Sequence, residues 1–271
     1  MDVFVESVGK VWTGQHGAAV PALDTISHRF RSRRFSCILG PSGCGKSTLA
    51  QIIGGLEQPS SGQVEVRDPR SANETIPIGA ESVMVWQNQN LFPWRTVIDN
   101  VAFGLEMRGI AKRERDGRAR TLLASVGLQG FERHYPHQLS GGMRQRVALA
   151  RALILGKPIL LMDEPFGALD AQTKIVMQEE LLRIFEETHK TVIFVTHSID
   201  EAILLGDEII MMTSRPGRIK EVIDVDLPRP RSLDMVNTPE FGALFDKAFH
   251  LIRDEVTKAM AEQSASIRGM T

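Results

Sequence analysis

A glycine-rich segment separates a short apolar run from a helix-like run at residues 38–56, ILGPSGCGKSTLAQIIGGL. The apolar run at 35–39 is β-prone, whereas apolar residues recur with helical spacing from Ser47 onward. In this order of strand, loop and helix, the spacing GPSGCGKS at 40–47 predicts a phosphate-binding P-loop. A glycine-rich turn that arose by chance is the alternative, and the flanking strand and helix argue against it.

The predicted loop offers the groups that bind phosphate. Its glycines let successive backbone N–H groups turn inward, and the first turn of the next helix adds more N–H groups and the positive end of its dipole. Lys46 would reach the β- and γ-phosphates of a nucleotide, and the hydroxyl of Ser47 would bind a magnesium ion. The predicted nucleotide-binding residues of this loop are Gly40, Pro41, Ser42, Gly43, Cys44, Gly45, Lys46, Ser47 and Thr48.

Cys44 lies within this loop, just before the helix. A helix N-terminus lowers the pKa of a nearby thiol, so we expect Cys44 to be reactive and to be protected by a bound nucleotide. A small residue that merely fills the loop is the alternative. The second cysteine, Cys37, lies in the preceding strand, and the pair provides neither a disulfide framework nor a metal-ligand spacing.

Two adjacent carboxylates end another apolar run, ILLMDE at 159–164. Charged side chains are costly to bury unless they are paired or lie near a metal ion. A strand beside the P-loop would bring Asp163 to the magnesium ion and Glu164 to the water that attacks the γ-phosphate, which is the Walker B pattern. A strand that simply ends in polar residues at the surface is the alternative.

The order of apolar runs predicts the fold class. The later β-prone runs alternate with helix-like runs, which indicates an α/β protein with a mostly parallel sheet and a ligand at the carboxyl ends of its strands. Between residues 87 and 140 no β-prone run occurs, and helical spacing predicts an inserted helical subdomain. Strands are predicted near 3–8, 23–30, 35–39, 64–67, 83–86, 159–162, 192–195 and 209–213.

Charge and hydropathy argue against other classes of function. The formal net charge is −1 and no basic block dominates, so no nucleic-acid partner is expected. No run approaches the roughly 18 apolar residues of a membrane span. The first ten residues lack the layout of a signal peptide. We therefore expect a globular protein that stays in the cytoplasm.

A second helix start suited to an anion lies at 139–153, LSGGMRQRVALARAL, where a serine and two glycines precede a helix-like run. It lies too far from the P-loop to belong to the same loop, which suggests that a nucleotide binds between two copies of the chain. The segment LSGGM at 139–143 resembles the signature motif of the ATP-binding cassette (ABC) family, and it lies between the P-loop and the Walker B motif as in that family. The resemblance extends over nearly the whole chain.

This resemblance implies a P-loop NTPase with a RecA-like core, an N-terminal antiparallel β subdomain and an inserted α-helical subdomain. A helix start at Thr238 is expected to open a C-terminal helix that packs on the chain's own core. The implied domains are an ATPase domain at 1–228, with its core at 1–86 and 144–228 and its helical subdomain at 87–143, and a C-terminal helical extension at 229–271.

Further site residues follow from the resemblance alone. Gln87 is similar to the family's Q-loop glutamine, which senses magnesium, and His197 to the switch histidine near the γ-phosphate. Asp170, in GALD at 167–170, resembles the D-loop aspartate that crosses to the partner subunit. Trp12 stands where the family usually has a tyrosine that stacks on adenine, whereas a lone tryptophan near a strand end is often a core residue.

The resemblance implies an ATPase that works as a pair of cassettes with ATP and Mg²⁺. The serine and glycines of the signature motif would complete the γ-phosphate site of the other copy. The implied residues are Glu164, His197, Gln87 and Lys46 for catalysis, Ser47, Gln87 and Asp163 for the metal, and Trp12, Asp170, Ser140, Gly141 and Gly142 for further nucleotide contacts.

Within this family, the chain resembles importers of the nitrate, sulfonate and taurine type. Met143, where many cassettes have glutamine, is usual among them, and the segments at 90–106 and 214–219 also resemble theirs. The implied partners are permease subunits in the membrane and an extracytoplasmic solute-binding protein, and the implied location is the cytoplasmic face of the inner membrane, peripheral through the permease. The alternatives are a cassette ATPase that acts in DNA repair or on ribosomes, and a P-loop kinase.

The segment LFPW at 91–94 carries two aromatic residues and a leucine around a proline, just after Gln87. Such a cluster in a short connection is expected to be partly exposed and to dock a partner. In the family this surface borders the cleft that takes a cytoplasmic helix of the permease. The alternative is that Phe92 and Trp94 fold back into the helical subdomain as core.

Overall fold

Two sheets organise the fold. The structure, a computed structural model, describes residues 1–14, 17–70 and 75–268. Within these residues the strands are β1 (Asp2–Thr13), β2 (Ala19–Phe30), β3 (Phe35–Leu39), β4 (Ser61–Arg67), β5 (Thr75–Ile76), β6 (Ser82–Val85), β7 (Ile159–Asp163), β8 (Thr191–Thr196), β9 (Glu208–Met212) and β10 (Ile219–Asp224). The α-helices are α1 (Lys46–Ile53), α2 (Val97–Met107), α3 (Lys112–Ser125), α4 (Gly141–Leu153), α5 (Ala171–Thr188), α6 (Ile199–Leu205) and α7 (Pro239–Arg268).

The larger sheet has the order β10-β9-β3-β8-β7-β6, in which only β10 is antiparallel to its neighbour. Both faces are covered, so alternate residues of one strand enter different cores. In β8, Val192 and Phe194 pack on one side, whereas Ile193 and Val195 pack on the other. This double burial explains the continuous apolar runs. Because parallel strands end at one edge, the residues after β3, β7 and β8 meet there.

The smaller sheet is antiparallel, has the order β2-β1-β4-β5, and packs with α1 over one face of the larger sheet. The predicted α/β P-loop NTPase fold with N-terminal antiparallel strands is confirmed. Two strands escape the sequence patterns. β5 has only two residues, and β10 is an edge strand, IKEVID, in which charged residues interrupt the apolar ones.

The helices α2 and α3 confirm the predicted helical run between residues 87 and 140. Asn100, fully buried on α2, holds the segment that precedes this helix. Its Oδ1 accepts a hydrogen bond from the backbone N–H of Phe92 at 2.8 Å, and its Nδ2 donates to the carbonyl oxygens of Phe92 and Arg95, both at 3.1 Å. The segment between these two residues is therefore fixed on the helix.

The C-terminal helix α7 packs on the core, as predicted. Phe241 and Ala248 on this helix are buried in the same hydrophobic cluster as Val192 and Phe194 of β8. Burial of a side chain such as Phe241 stabilises the folded state by about 1.5–3 kcal/mol. No described helix has the length and apolarity needed to cross a membrane. The domain bounds at 86, 143 and 228 stay predictions.

Candidate functional site

The P-loop joins β3 to α1, as predicted. Gly43 and Gly45 have φ angles of 76° and 103°, a left-handed region that glycine adopts at little cost. Nζ of Lys46 donates to the carbonyl oxygens of Gly40 at 2.9 Å and Pro41 at 2.8 Å, so its ammonium lies inside the loop. The adjoining pocket, of about 220 Å³, is lined by Ala22, Ser42, Gly43, Gly45, Lys46, Ser47, Thr48, Glu164 and Arg215.

The proposed magnesium ligands Ser47 and Asp163 are in direct contact. Oγ of Ser47 donates to Oδ1 of Asp163, the last residue of β7, at 2.8 Å. Burial raises the pKa of Asp163 above its usual value, because it disfavours the charged carboxylate. A cation beside this carboxylate would have the opposite effect and favour the ionised form. No cluster of three or more His, Cys, Asp or Glu residues with metal-binding geometry occurs in the described ranges. A magnesium ion shared with phosphates and water needs few protein ligands.

Glu164 and His197 face each other at the ends of β7 and β8. Oε2 of Glu164 lies 3.0 Å from Nδ1 of His197. The backbone N–H of Glu164 donates to the carbonyl oxygen of Val195 at 2.9 Å, and its φ of 43° is left-handed. Such a backbone costs a non-glycine residue about 1–3 kcal/mol and is frequent at active sites. The sequence predicts both residues but not the contact between them.

Gln87 and Glu164 both have side-chain atoms beside Gly167. A Cβ atom added to Gly167 would lie 3.3 Å from Nε2 of Gln87 and 3.8 Å from Oε2 of Glu164. A side chain at residue 167 would therefore crowd both the amide of Gln87 and the carboxylate of Glu164. The contact of Gln87 with magnesium stays a prediction.

The signature residues Ser140 and Gly142 lie apart from the P-loop. Oγ of Ser140 caps α4 by accepting from the backbone N–H of Met143 at 3.2 Å. A Cβ on Gly142 would lie 2.2 Å from Cγ2 of Thr173, so this glycine allows α4 to approach α5. Both residues line a second pocket, of about 260 Å³, that shares no lining residue with the P-loop pocket. The two pockets are therefore lined by different residues within one chain.

The D-loop aspartate, Asp170, caps α5. Its carboxylate accepts from the backbone N–H of Thr173 at 3.0 Å and from the hydroxyl of Thr173 at 2.7 Å. These bonds fix the start of α5 beside the signature glycine. A contact of Asp170 with a nucleotide or a second chain stays a prediction.

Trp12 lies near the end of β1 and is 37% exposed, which is not the burial of a core residue. The ammonium of Lys10 lies 4.4 Å from the centre of the tryptophan ring, within the range of a cation–π contact. The same ammonium is 2.6 Å from Oε1 of Glu57. Lys10 thus holds the ring beside the segment that follows α1. Stacking of Trp12 on adenine stays a prediction.

The expectation of a lowered thiol pKa at Cys44 is wrong. The residue is only 1% exposed, and burial raises the pKa of its thiol, although the nearby Lys46 opposes this shift. Desolvation of the thiolate thus outweighs the positive potential of the helix start and the lysine. Only the position of Cys44 within the loop is as predicted.

We therefore expect maleimide to label Cys44 slowly at pH 7 and faster as pH rises, because the thiolate is the reactive form and a raised pKa delays its appearance. Mg-ATP should slow the reaction further. Peptide mapping by mass spectrometry at pH 7 and pH 9 measures the rate, with the fully buried Cys37 as internal reference. Labelling at pH 7 as fast as that of free glutathione would contradict the assignment.

Two residues that line the P-loop pocket belong to no predicted motif. Ala22 comes from β2, and Arg215 from the turn between β9 and β10. The segment that contains Arg215 resembles importers of the nitrate type, but nothing in the sequence indicates that it reaches the phosphate site. Both residues are brought there by tertiary packing.

The aromatic segment after Gln87 divides into a packed and an exposed part. Phe92 is half-buried, with its ring centre 4.6 Å from that of Phe103. Trp94 is 72% exposed. The alternative in which both aromatic residues are core is therefore wrong for Trp94. Phe92 also lines an apolar pocket of about 310 Å³ together with Val83, Met84, Val85, Trp86, Phe103, Gly104, Ala148, Arg151, Ala152 and Leu155.

Similar proteins occur among both sequences and solved structures. The sequence profile of the family described as "ABC transporter" matches residues 23–167. The taurine import ATP-binding protein of Rhizobium johnstonii is 46% identical over 83% of this chain and 84% of its own length. The nitrate import ATP-binding protein of Synechocystis is 39% identical over 95% of this chain and 97% of its own. Among solved structures, a dimeric ATP-binding cassette in a post-hydrolysis state, bound to ADP and Pi, is similar to this chain with a TM-score of 0.71 and 32% sequence identity. The match covers 83% of this chain and 100% of the solved chain.

Proposed function

The chain belongs to the ABC transporter family, and we propose that it is the ATP-hydrolysing subunit of an importer for a small anionic, organosulfur or nitrogen-containing solute. One observation carries the proposal: the P-loop, the Ser47–Asp163 pair and the Glu164–His197 pair lie at one edge of the same sheet. The resemblance to taurine and nitrate import proteins supports a solute such as nitrate, an alkanesulfonate or taurine.

The P-loop binds the phosphates of ATP in this proposal. Backbone N–H groups of the loop and of the first turn of α1 bind the β- and γ-phosphates. The ammonium of Lys46, already inside the loop, exchanges its bonds to the carbonyls of Gly40 and Pro41 for bonds to phosphate oxygens. Donors fixed in advance stabilise the charge that develops on the transferring phosphoryl group.

Glu164 is the proposed general base. Its carboxylate orients a water molecule and accepts a proton as the water oxygen bonds to the γ-phosphorus and the bond to the β–γ bridging oxygen breaks. The products are ADP and inorganic phosphate. His197, 3.0 Å from the carboxylate, holds it in position. Gln87, whose amide lies beside Gly167, would help to orient the water.

Ser47, Asp163 and Gln87 are the residues that would hold magnesium. All three supply oxygen ligands, which Mg²⁺ prefers. The buried Asp163, with its raised pKa and a serine hydroxyl at 2.8 Å, is the observation that fits a cation here. Bound magnesium would neutralise charge on the β- and γ-phosphate oxygens.

A second copy of the chain would complete each site. The signature pocket with Ser140 and Gly142 and the P-loop pocket are separate within one chain. A head-to-tail pair would place the Ser140 hydroxyl and the N-terminus of α4 against the γ-phosphate in the other P-loop. The dimeric cassette bound to ADP and Pi, similar over 83% of this chain, supports this arrangement.

The remaining partners would be permease subunits and an extracytoplasmic solute-binding protein. The apolar pocket beside Trp86 and Phe92 is suited to a cytoplasmic helix of the permease, and it adjoins Gln87 in sequence. Nucleotide state and permease position would then be linked through one segment. The chain would lie at the cytoplasmic face of the inner membrane, held there by the permease.

Phosphate release by the purified chain tests the enzymatic part. We expect phosphate release from ATP to depend on Mg²⁺. Its rate should rise more steeply than the chain concentration, because two copies form a site. The variant Lys46→Ala should release no phosphate. DNA, ribosomes and small phosphate acceptors should have no effect. Release that is linear in chain concentration and unchanged in Lys46→Ala would contradict the proposal. Stimulation by DNA or ribosomes, or phosphate on an acceptor, would favour the alternatives.

Uptake measurements test the solute class. In proteoliposomes that contain the permease and the binding protein, the chain and ATP should drive accumulation of labelled taurine, an alkanesulfonate or nitrate. Glu164→Gln is the matched inactive control, because it keeps the shape of the side chain. Accumulation of none of these solutes in an otherwise ATP-hydrolysing complex would overturn the solute class and leave the ATPase assignment intact.

A further inference from the structure

The turn between β9 and β10 packs directly on the P-loop. The backbone N–H of Gly217 donates to the carbonyl oxygen of Ala22 at 2.9 Å, and the N–H of Asp24 donates to the carbonyl oxygen of Gly217 at 2.9 Å. A Cβ on Gly217 would lie 2.1 Å from the carbonyl oxygen of Cys44, which is a P-loop residue. The turn and the phosphate loop are therefore in backbone contact, which only glycine permits.

This contact brings Arg215 to the phosphate pocket. Arg215 is exposed and is one of the residues that line the pocket, together with Lys46, Ser47 and Glu164. Within the described residues, no hydrogen bond or ion pair involves its guanidinium. Arg218, on the same turn, instead donates to Asp24. A guanidinium at a phosphate site can form two parallel charge-assisted hydrogen bonds to phosphate oxygens.

The other side of the turn is held by the C-terminal helix. Oε2 of Glu255, on α7, accepts a hydrogen bond from the backbone N–H of Ser214 at 3.0 Å. Oε1 of Glu255 lies 2.8 Å from Nζ of Lys220, on β10. Burial acts to raise the pKa of Glu255, but the hydrogen bonds from Lys220 and Ser214 outweigh it, and its pKa is lowered. The carboxylate is therefore charged and firmly bound beside the residue that precedes Arg215.

We propose that Arg215 is a binding residue for the phosphates of the nucleotide, outside the known motifs, and that Glu255 is the positioning residue that holds its turn from the C-terminal extension. The ligand class is nucleoside di- and triphosphates. The inference rests on the proposed ATP site and deepens it, because it assigns part of the nucleotide affinity to a helix outside the ATPase domain.

Nucleotide titration of the full chain tests Arg215. Arg215→Gln should raise the Kd for ATP and for ADP by about tenfold, because a charge-assisted hydrogen bond to phosphate is lost. The effect should shrink at high ionic strength. Arg218→Gln is the matched control on the same turn, with the same change of charge, and should leave both Kd values at the parental level. A Kd for Arg215→Gln within twofold of the parent would overturn the assignment.

Glu255 is tested through Arg215. Glu255→Ala should raise the Kd values for ATP and ADP. Glu255→Gln should keep them at the parental level, because its amide oxygen still accepts a hydrogen bond from the N–H of Ser214. In a chain that already carries Arg215→Gln, Glu255→Ala should raise the Kd values no further. If Glu255 had a purely structural role, Glu255→Ala would lower the melting temperature, and its effect on Kd would add to that of Arg215→Gln. Should Glu255→Ala fail to fold, Glu255→Ala with Lys220→Met removes both charges and leaves neither buried alone. Additive effects in the double variant would overturn the positioning role.

A parallel titration of Lys46→Ala separates this inference from the proposed function. If the parent binds ATP no better than Lys46→Ala does, the proposed ATP site itself fails. If Lys46→Ala loses ATP binding while Arg215→Gln retains it, only the role of Arg215 fails.

Discussion

Glu164→Gln is expected to slow ATP hydrolysis by about a hundred- to ten-thousandfold, the usual contribution of a general base, while ATP binding stays nearly intact. The amide has the shape of the carboxylate but cannot accept the proton of the attacking water. The backbone at this position should persist, because the N–H of residue 164 is bonded to Val195 and does not depend on the side chain. The phosphate loop, which is a separate segment, should keep its contacts with the nucleotide.

An ATP-bound dimer should therefore accumulate. Phosphate release measures the rate, nucleotide titration measures binding, and light scattering with and without Mg-ATP measures the mass in solution. Glu187→Gln, an exposed glutamate near the end of α5, is the matched control and should behave as the parent. Hydrolysis at the parental rate, or a variant that stays monomeric with ATP, would show that Glu164 has a different role.

The motifs of the site could be predicted because each one is local. The P-loop and the pair Asp163 and Glu164 are marked by a change of residue type at the end of an apolar run, and the end of a parallel strand determines where such residues lie. The signature serine is marked by the helix-like run that follows it. The meeting of β3, β7 and β8 at one edge then brings Ser47 to Asp163. Local pattern and strand direction were sufficient to predict that these two residues lie at one site.

Contacts between distant segments could not be predicted in this way. Arg215 reaches the pocket because Gly217 fits against the backbone of Cys44, and no spacing in the sequence encodes that fit. Glu255 reads as one acidic residue of an amphipathic helix until its partner Ser214 is placed. Both depend on how α7 and the β9–β10 turn pack on the domain.

The error on Cys44 has a related origin. Its position at a helix N-terminus is visible in the sequence and favours a low thiol pKa, whereas the burial that raises the pKa comes from neighbours distant in sequence. Two opposing effects act on the pKa of one group, and burial, the larger one, is not local. The direction of the local effect on the thiol pKa can be predicted from the sequence, but the net shift of this pKa cannot.

The segment after Gln87 shows the same division. Asn100 fixes its backbone, and Phe92 packs on Phe103, so these residues hold the segment in place. Trp94 has its ring centre 5.7 Å from that of Phe92 but leaves 72% of its surface exposed. Replacement of Phe92 would open the apolar pocket and lower stability, and a double replacement of both aromatic residues would mix that effect with the loss of a docking surface. Trp94 alone separates the two.

Trp94→Ala should abolish co-purification with the permease and solute transport, while ATP binding and the melting temperature of the isolated chain stay at parental values. A large exposed aromatic residue on a fixed segment beside an apolar pocket has the features of an interface anchor, whose removal typically costs 2 kcal/mol or more of binding, about thirtyfold in affinity. Affinity capture of the tagged permease and solute uptake measure the loss. Phe249→Ala, which removes an aromatic residue of 45% exposure from α7, is the matched control and should co-purify normally. If Trp94→Ala still co-purifies at parental yield, or if it loses binding only because it unfolds, this segment is not the surface that couples the ATPase to its permease.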